Sequence, residues 1–107
     1  MIQMDALEAA AVLALARQGD TDAFRVLVEH HSQARVRLGY RMTGNEQDAE
    51  DVVQETFLRA YRHLGRFQER ANFSPWLYRI LANCALDTLS ARKSKRDQSM
   101  KEGLDAA

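Results

Sequence analysis

Residues 48–67 read DAEDVVQETFLRAYRHLGRF and set apolar or small side chains at Ala49, Val52, Val53, Thr56, Phe57, Ala60, Tyr61 and Leu64. That spacing lines one side of an α-helix, and the stripe marks a core-facing side. Leu58 lies off the stripe. If Ala49 is set at zero, the stripe centres near 30° and Leu58 falls near 180°, taking about 100° per residue. Its neighbours at i±3 and i±4 are Asp51, Gln54, Glu55 and Arg62.

The rest of the chain is punctuated in the same way. An alanine- and leucine-rich segment over about 5–18 stops at Gly19. Asp20 or Thr21 suits the N-cap of a second helix, 21–42, with apolar positions Phe24, Leu27, Val28, His31, Ala34 and Leu38, ending before Gly44. Asn45 suits the cap of the third helix, 46–64, with Asp48 in the place of a capping-box partner and Gly65 after it. Ser74-Pro75 reads as an N-cap followed by proline at the first helical position, opening a fourth helix over 75–94. No alternating β-branched run and no Asn-Gly or Asp-Gly turn signals a strand. The expected fold is an all-α compact bundle of four helices. Residues 97–107 lose their apolar periodicity and read as a frayed tail or the start of a linker, so residues 1–96 form the expected domain.

A chain of 107 residues with 46% hydrophobic and 28% charged residues fits one ordinary globular domain. The single cysteine, Cys84, excludes an internal disulfide and fits a reducing compartment; on the apolar face of the fourth helix it reads as a buried, inert thiol. There is no basic n-region, and the longest apolar run, 9–16, is too short to cross a bilayer. The expectation is a soluble cytoplasmic protein without membrane insertion. Net charge is zero but uneven: ten acidic and five basic residues up to Leu58, five acidic and ten basic from Arg59 on. Such asymmetry fits two partner surfaces, one of them suited to phosphates.

Both later helices have a second face. A lone exposed leucine is common and requires no function. Leu58 in its polar ring also matches a protein-binding face, an apolar anchor with a hydrogen-bonding rim. On the fourth helix Leu77, Ile80, Leu81, Cys84 and Thr88 share the core side, while Arg79, Asn83, Leu86 and Ser90 lie roughly opposite, with Lys93 close by. Arg92, Lys93, Lys95 and Arg96 make a basic helix end, which complements a helix dipole or holds phosphates equally well. Phe73 and Trp76, next to the loop that precedes this helix, either pack the core or offer stacking surfaces for single-stranded bases.

DAEDVVQETFLRAYRHLGRF followed by FSPWLYRILANCALDTL resembles region 2 of bacterial σ70-family transcription initiation factors, most closely the extracytoplasmic-function (ECF) subgroup. The resemblance extends from about Gly19 to Arg96. Its most specific pieces are D-x-x-Q-E (Asp51, Gln54, Glu55) and W-L-Y-R-I-x-x-N (Trp76 to Asn83). It implies that Asp51, Gln54, Glu55, Leu58 and Arg62 dock on the β′ clamp helices of RNA polymerase. It implies also that Gln68, Glu69, Arg70, Ala71, Asn72 and Phe73 form a pocket for a flipped-out base of the promoter −10 non-template strand. Asn83 would lie at the floor of that pocket, near Trp76, with Arg79, Arg92, Lys93 and Arg96 on the backbone. An anti-sigma factor is the further implied partner. Unstacking a base costs a few kcal/mol, which a fitted pocket offsets, so no bond-breaking chemistry is required. The family also carries a region 4 that reads the −35 element; none is expected within these 107 residues, and the expectation is an excised domain ahead of a natural one-domain variant. Gln68 and Glu69 stand where many relatives carry arginine or lysine followed by glycine, a departure that bears on the preferred base.

No catalytic constellation stands out and no cofactor is expected. His30 and His31 diverge by about 100° on a helix, unlike an i, i+4 metal pair. His63 has no cysteine partner in sequence. An enzyme is not expected. The rival to promoter recognition is a helical protein-interaction (adaptor) module that binds no DNA, which zero net charge favours slightly.

Overall fold

The computed structural model describes residues 5–67 and 72–105. They form helices α1 (Ala6–Arg17), α2 (Thr21–Thr43), α3 (Glu46–His63) and α4 (Phe73–Asp105), with a 3-10 turn at Leu64–Arg66. No strand occurs among the described residues, as the sequence predicts.

Three helix starts follow from a side-chain cap. Asp5, Asp20 and Asn45 accept the backbone N–H three residues on, from Glu8, Ala23 and Asp48, at 2.7, 3.0 and 3.1 Å. The Asp48 side chain departs from the expected capping box. Its carboxylate pairs with Arg92 of α4. Gly19 and Gly44 supply the positive φ values, 101° and 71°, that let the chain leave α1 and α2. After His63, α3 tightens into the 3-10 turn, and Phe67 N–H donates to Leu64 O at 3.1 Å.

α3 packs against α2 on one side and α4 on the other, and α1 covers α2. The centre holds Val52, Thr56, Leu77 and Leu81, each under 2% exposed. Around them lie Leu27, Val53, Phe57, Ala60, Leu64, Phe67, Phe73, Cys84 and Ala85. Thr56 satisfies its buried hydroxyl by donating to Val52 O at 2.7 Å. α2 and α3 approach closely at Gly39, where a Cβ would stand 3.4 Å from Ala49 O.

Three sequence expectations change. On α2, Ala34 is exposed and Arg35 is buried instead. Buried residues there recur every fourth position, at Ala23, Leu27, Arg35, Gly39 and Thr43. Four residues overshoot one turn by about 40°, so the contact line winds around the helix as it crosses its neighbours. Tyr61, counted in the α3 stripe, is 51% exposed, because it lies on the flank of the stripe and touches only the edge of Phe24, ring centroids 5.1 Å apart.

α4 is the third. It opens at Phe73, not Pro75, and runs to Asp105, past the expected end at 94 and through most of the segment read as a tail. Proline is tolerated at the third helical position because no first-turn N–H has an intrahelical partner. Every described side chain from Lys93 to Gly103 is exposed, so no core face marks this stretch. Lysine, arginine, glutamine and glutamate are strong helix formers that extend an already nucleated helix. Gln98 Nε2 adds a 3.4 Å bond to Glu102 Oε1. The long α4 gives the molecule its 63 × 28 × 21 Å extents.

Candidate functional site

Leu58 is 52% exposed, and Asp51, Gln54 and Arg62 around it are exposed too. α3 is thus two-sided, as its wheel predicts. Beside Leu58 runs a shallow groove of about 390 Å³ lined by Phe24, Val28, Gln54, Phe57, Leu58 and Tyr61. Its walls are almost wholly apolar and belong to both α2 and α3. Sequence reading assigned Phe24, Val28, Phe57 and Tyr61 to the core, and only the crossing of the two helices opens them to one cleft. The place of Tyr61 on the flank of the α3 stripe was the one signal available.

Glu55 differs from its ring neighbours. Its Oε1 accepts from Arg59 Nε at 3.1 Å, and Arg59 Nη2 reaches Asp87 Oδ2 of α4 at 3.2 Å. The carboxylate is therefore engaged within the bundle, in an exposed arrangement worth at most about 1 kcal/mol.

On α4, Arg79, Asn83, Lys93 and Arg96 are exposed, as a strand-binding face requires. Arg92 is not available in the same way. It pairs with Asp48 and donates from Nη1 to Thr43 O at 3.1 Å, tying α4 to the α2–α3 corner. Phe73 is also turned inward, 9% exposed. Its ring lies 5.9 Å from Phe67, 5.7 Å from Trp76 and 5.2 Å from His31. Of the two aromatics proposed as stacking surfaces, Phe73 packs the core and Trp76 is half-buried. The physical reason is the earlier start of α4, which places Phe73 on the inward face of its first turn. Asn72 is exposed, while Gln68, Glu69, Arg70 and Ala71 lie outside the described residues.

Behind this region His31 is half-buried, its pKa lowered to about 4, first by burial and then by the positive charges of His30 and Arg35. The His30 and His31 rings meet edge to face at 4.9 Å. Cys84 is a free, buried thiol, pushed up in pKa chiefly by burial. Among the described residues no group of three or more His, Cys, Asp or Glu is placed to hold a metal ion. No helix there is long and apolar enough to cross a membrane.

The family model Sigma-70 region 2 matches residues 27–95. The ECF RNA polymerase sigma factor SigW of Bacillus subtilis (strain 168) is 43% identical over 81 residues, 76% of this chain and 42% of that protein. The RNA polymerase sigma-H factor of Pseudomonas aeruginosa is 42% identical over 76 residues, 71% of this chain and 39% of that one. The chain thus spans about two fifths of these relatives. Among solved structures, an engineered region 2 of sigmaE in complex with GTAAAA superposes with a TM-score of 0.79 at 34% identity, covering 87% of this chain and 97% of the other. CnrH in complex with the cytosolic domain of CnrY gives 0.69, also at 34% identity, over 74% of this chain and 51% of that one. Its matched family model, its relatives and its helical architecture agree: the chain belongs to the Sigma-70 region 2 family, with its relatives among the ECF sigma factors.

Proposed function

We propose that this domain serves transcription initiation by docking on the β′ clamp helices of RNA polymerase through α3 and by holding the −10 non-template strand on α4. The observation that carries the reading is the exposed Leu58 at the lip of an apolar groove, with Asp51, Gln54 and Arg62 exposed around it. A side chain from a partner helix would enter the groove while the polar ring fixes its orientation. Glu55 acts less directly, since Arg59 holds its carboxylate. On α4 the backbone cations are Arg79, Lys93 and Arg96, and Asn83 reads a base; Arg92 supports them by fixing the helix to the corner at Thr43. The relative bound to GTAAAA supports single-strand capture. The CnrH–CnrY complex supports a protein partner on the same fold, and an anti-sigma factor covering these surfaces fits the reading.

Leu58→Glu tests the docking face. Loss of a central apolar anchor should weaken capture of the isolated β′ clamp helices by about thirtyfold or more. Helicity should stay unchanged, because Leu58 lies outside the core. Unaltered capture would overturn the assigned face. The adaptor reading draws support from the inward engagement of Phe73 and Arg92. Crosslinking to a −10 non-template strand, with and without core polymerase, separates the two: no crosslink in either condition favours the adaptor.

A further inference from the structure

Arg35 occupies a position on α2 where the buried neighbours every fourth residue, Leu27 and Gly39 among them, are small or apolar. It is 9% exposed. Its Nη2 donates to Ser74 Oγ at 2.6 Å and to Ser74 O at 3.0 Å, and its Nε is buried without a hydrogen-bond partner. No ion pair joins it to a carboxylate among the described residues. A buried cation without a counter-charge is destabilising, more so against the positive end of a helix. Burial accordingly disfavours its charged form.

The arrangement also prepares Ser74. Because its Oγ accepts from Arg35, its own hydroxyl proton is left to donate outward, and the guanidinium polarises that bond. Ser74 is exposed and is the second residue of α4, where the N–H groups of Phe73 and Ser74 have no intrahelical acceptor, Pro75 having no N–H and Trp76 N–H donating to Asn72 O. Hydroxyl, backbone donors and a buried charge with no carboxylate partner among the described residues therefore converge on one exposed point. A phosphate oxyanion meets all three requirements.

We propose that the first turn of α4 is a phosphate seat, in which Ser74 Oγ–H and the backbone N–H groups of Phe73 and Ser74 hold one phosphodiester of a single strand, with Arg35 beneath as its counter-charge. Ser74 is the contacting residue and Arg35 a positioning residue. The proposal rests on the reading that α4 carries a nucleic-acid strand, and it adds a contact that the exposed cations of α4 do not provide.

The test measures binding of the 107-residue chain to a random-sequence single strand of about 16 nucleotides across a salt series. Arg35→Met and Ser74→Ala should each weaken binding by about tenfold. Each should also lower the slope of log affinity against log salt by about 0.7, the contribution of one single-strand phosphate. The double variant should lose little more than either single one, since the pair acts as a unit. A purely structural role would weaken binding without altering the slope, and unchanged slopes in both variants overturn the seat. Ser74→Ala removes no core atom, so its result stands even if Arg35→Met folds poorly. A wild-type chain that binds no strand overturns the α4 reading and the seat together. Strand binding with its full slope in both variants overturns the seat alone. Inorganic phosphate offers the same chemistry, so a second arm adds it at constant ionic strength. Wild-type affinity should hold. Sensitivity to phosphate that Ser74→Ala abolishes would assign the seat to free phosphate and overturn its assignment to the strand.

Discussion

His31 lies against Phe73 and beside Arg35, and its environment makes the domain sensitive to mild acid. Its folded pKa, about 4, lies below the ordinary 6.5, so the unfolded chain binds the proton first. The contribution to stability is complete above about pH 6.5 and is lost as pH falls through 4. The urea midpoint should drop between pH 7 and pH 5, and His31→Gln should flatten that drop; equal drops in both chains would contradict it. Neither this shift nor the burial of Arg35 was legible residue by residue. His31 read correctly as an inward-facing position, but an arginine four residues on reads as surface in any hydropathy pattern. What buries it is the slanted crossing of α2 and the hydroxyl of Ser74, 39 residues away. Leu58 is the opposite case. Its exposure followed from the angle it makes with its own helix, and the structure retains it.

At the scale of elements, α3 and α4 differ in how much of their form came from pattern. α3 has a cap, an apolar stripe and an end within a residue of expectation, because all three are local. α4 is half local. Up to about Ser90 it is fixed by Leu77, Leu81, Cys84 and Ala85 packing on α3, whereas from Lys93 onward it is held by backbone bonds and propensity. Truncation after Arg96 should therefore change the unfolding free energy by no more than about 0.5 kcal/mol, since the described side chains it removes, 97–103, are all exposed. Helical circular dichroism should fall in proportion to the residues lost. A larger destabilisation, measured by urea titration, would mean that the extension packs on the bundle. Pattern alone reads this segment as a tail, because periodicity reports burial and a solvated helix face buries nothing.

For the whole molecule, the bundle separates two surfaces that the charge asymmetry only hinted at. The α2–α3 side presents an apolar groove with a polar ring. The outer side of α4 presents cations around Asn83. Substitutions on α4 should sort by what they touch. Lys93→Ala should reduce strand affinity equally for all sequences and lower the salt slope by about 0.7. Asn83→Ala should instead cost about 1–3 kcal/mol at one base position and leave the slope alone. Fluorescence anisotropy with a panel of single-base variants in the presence of core polymerase checks both. A uniform loss for Asn83→Ala would make it a backbone contact.

The amino-acid sequence by itself determined the number of helices, the caps of α2 and α3, the two-sidedness of α3 and the exposure of Arg79, Asn83, Lys93 and Leu58. These depend on spacing within one helix, and helix geometry converts spacing into direction. The tertiary structure alone decided that Phe24 and Tyr61 join Leu58 around one groove, and that Arg92 serves Asp48 and Thr43. It decided also that Phe73 faces the core and that Arg35 is buried against the first turn of α4. Each of these is a meeting of residues on different helices. Such meetings follow from crossing angles and from where a helix begins, neither of which a periodic pattern encodes.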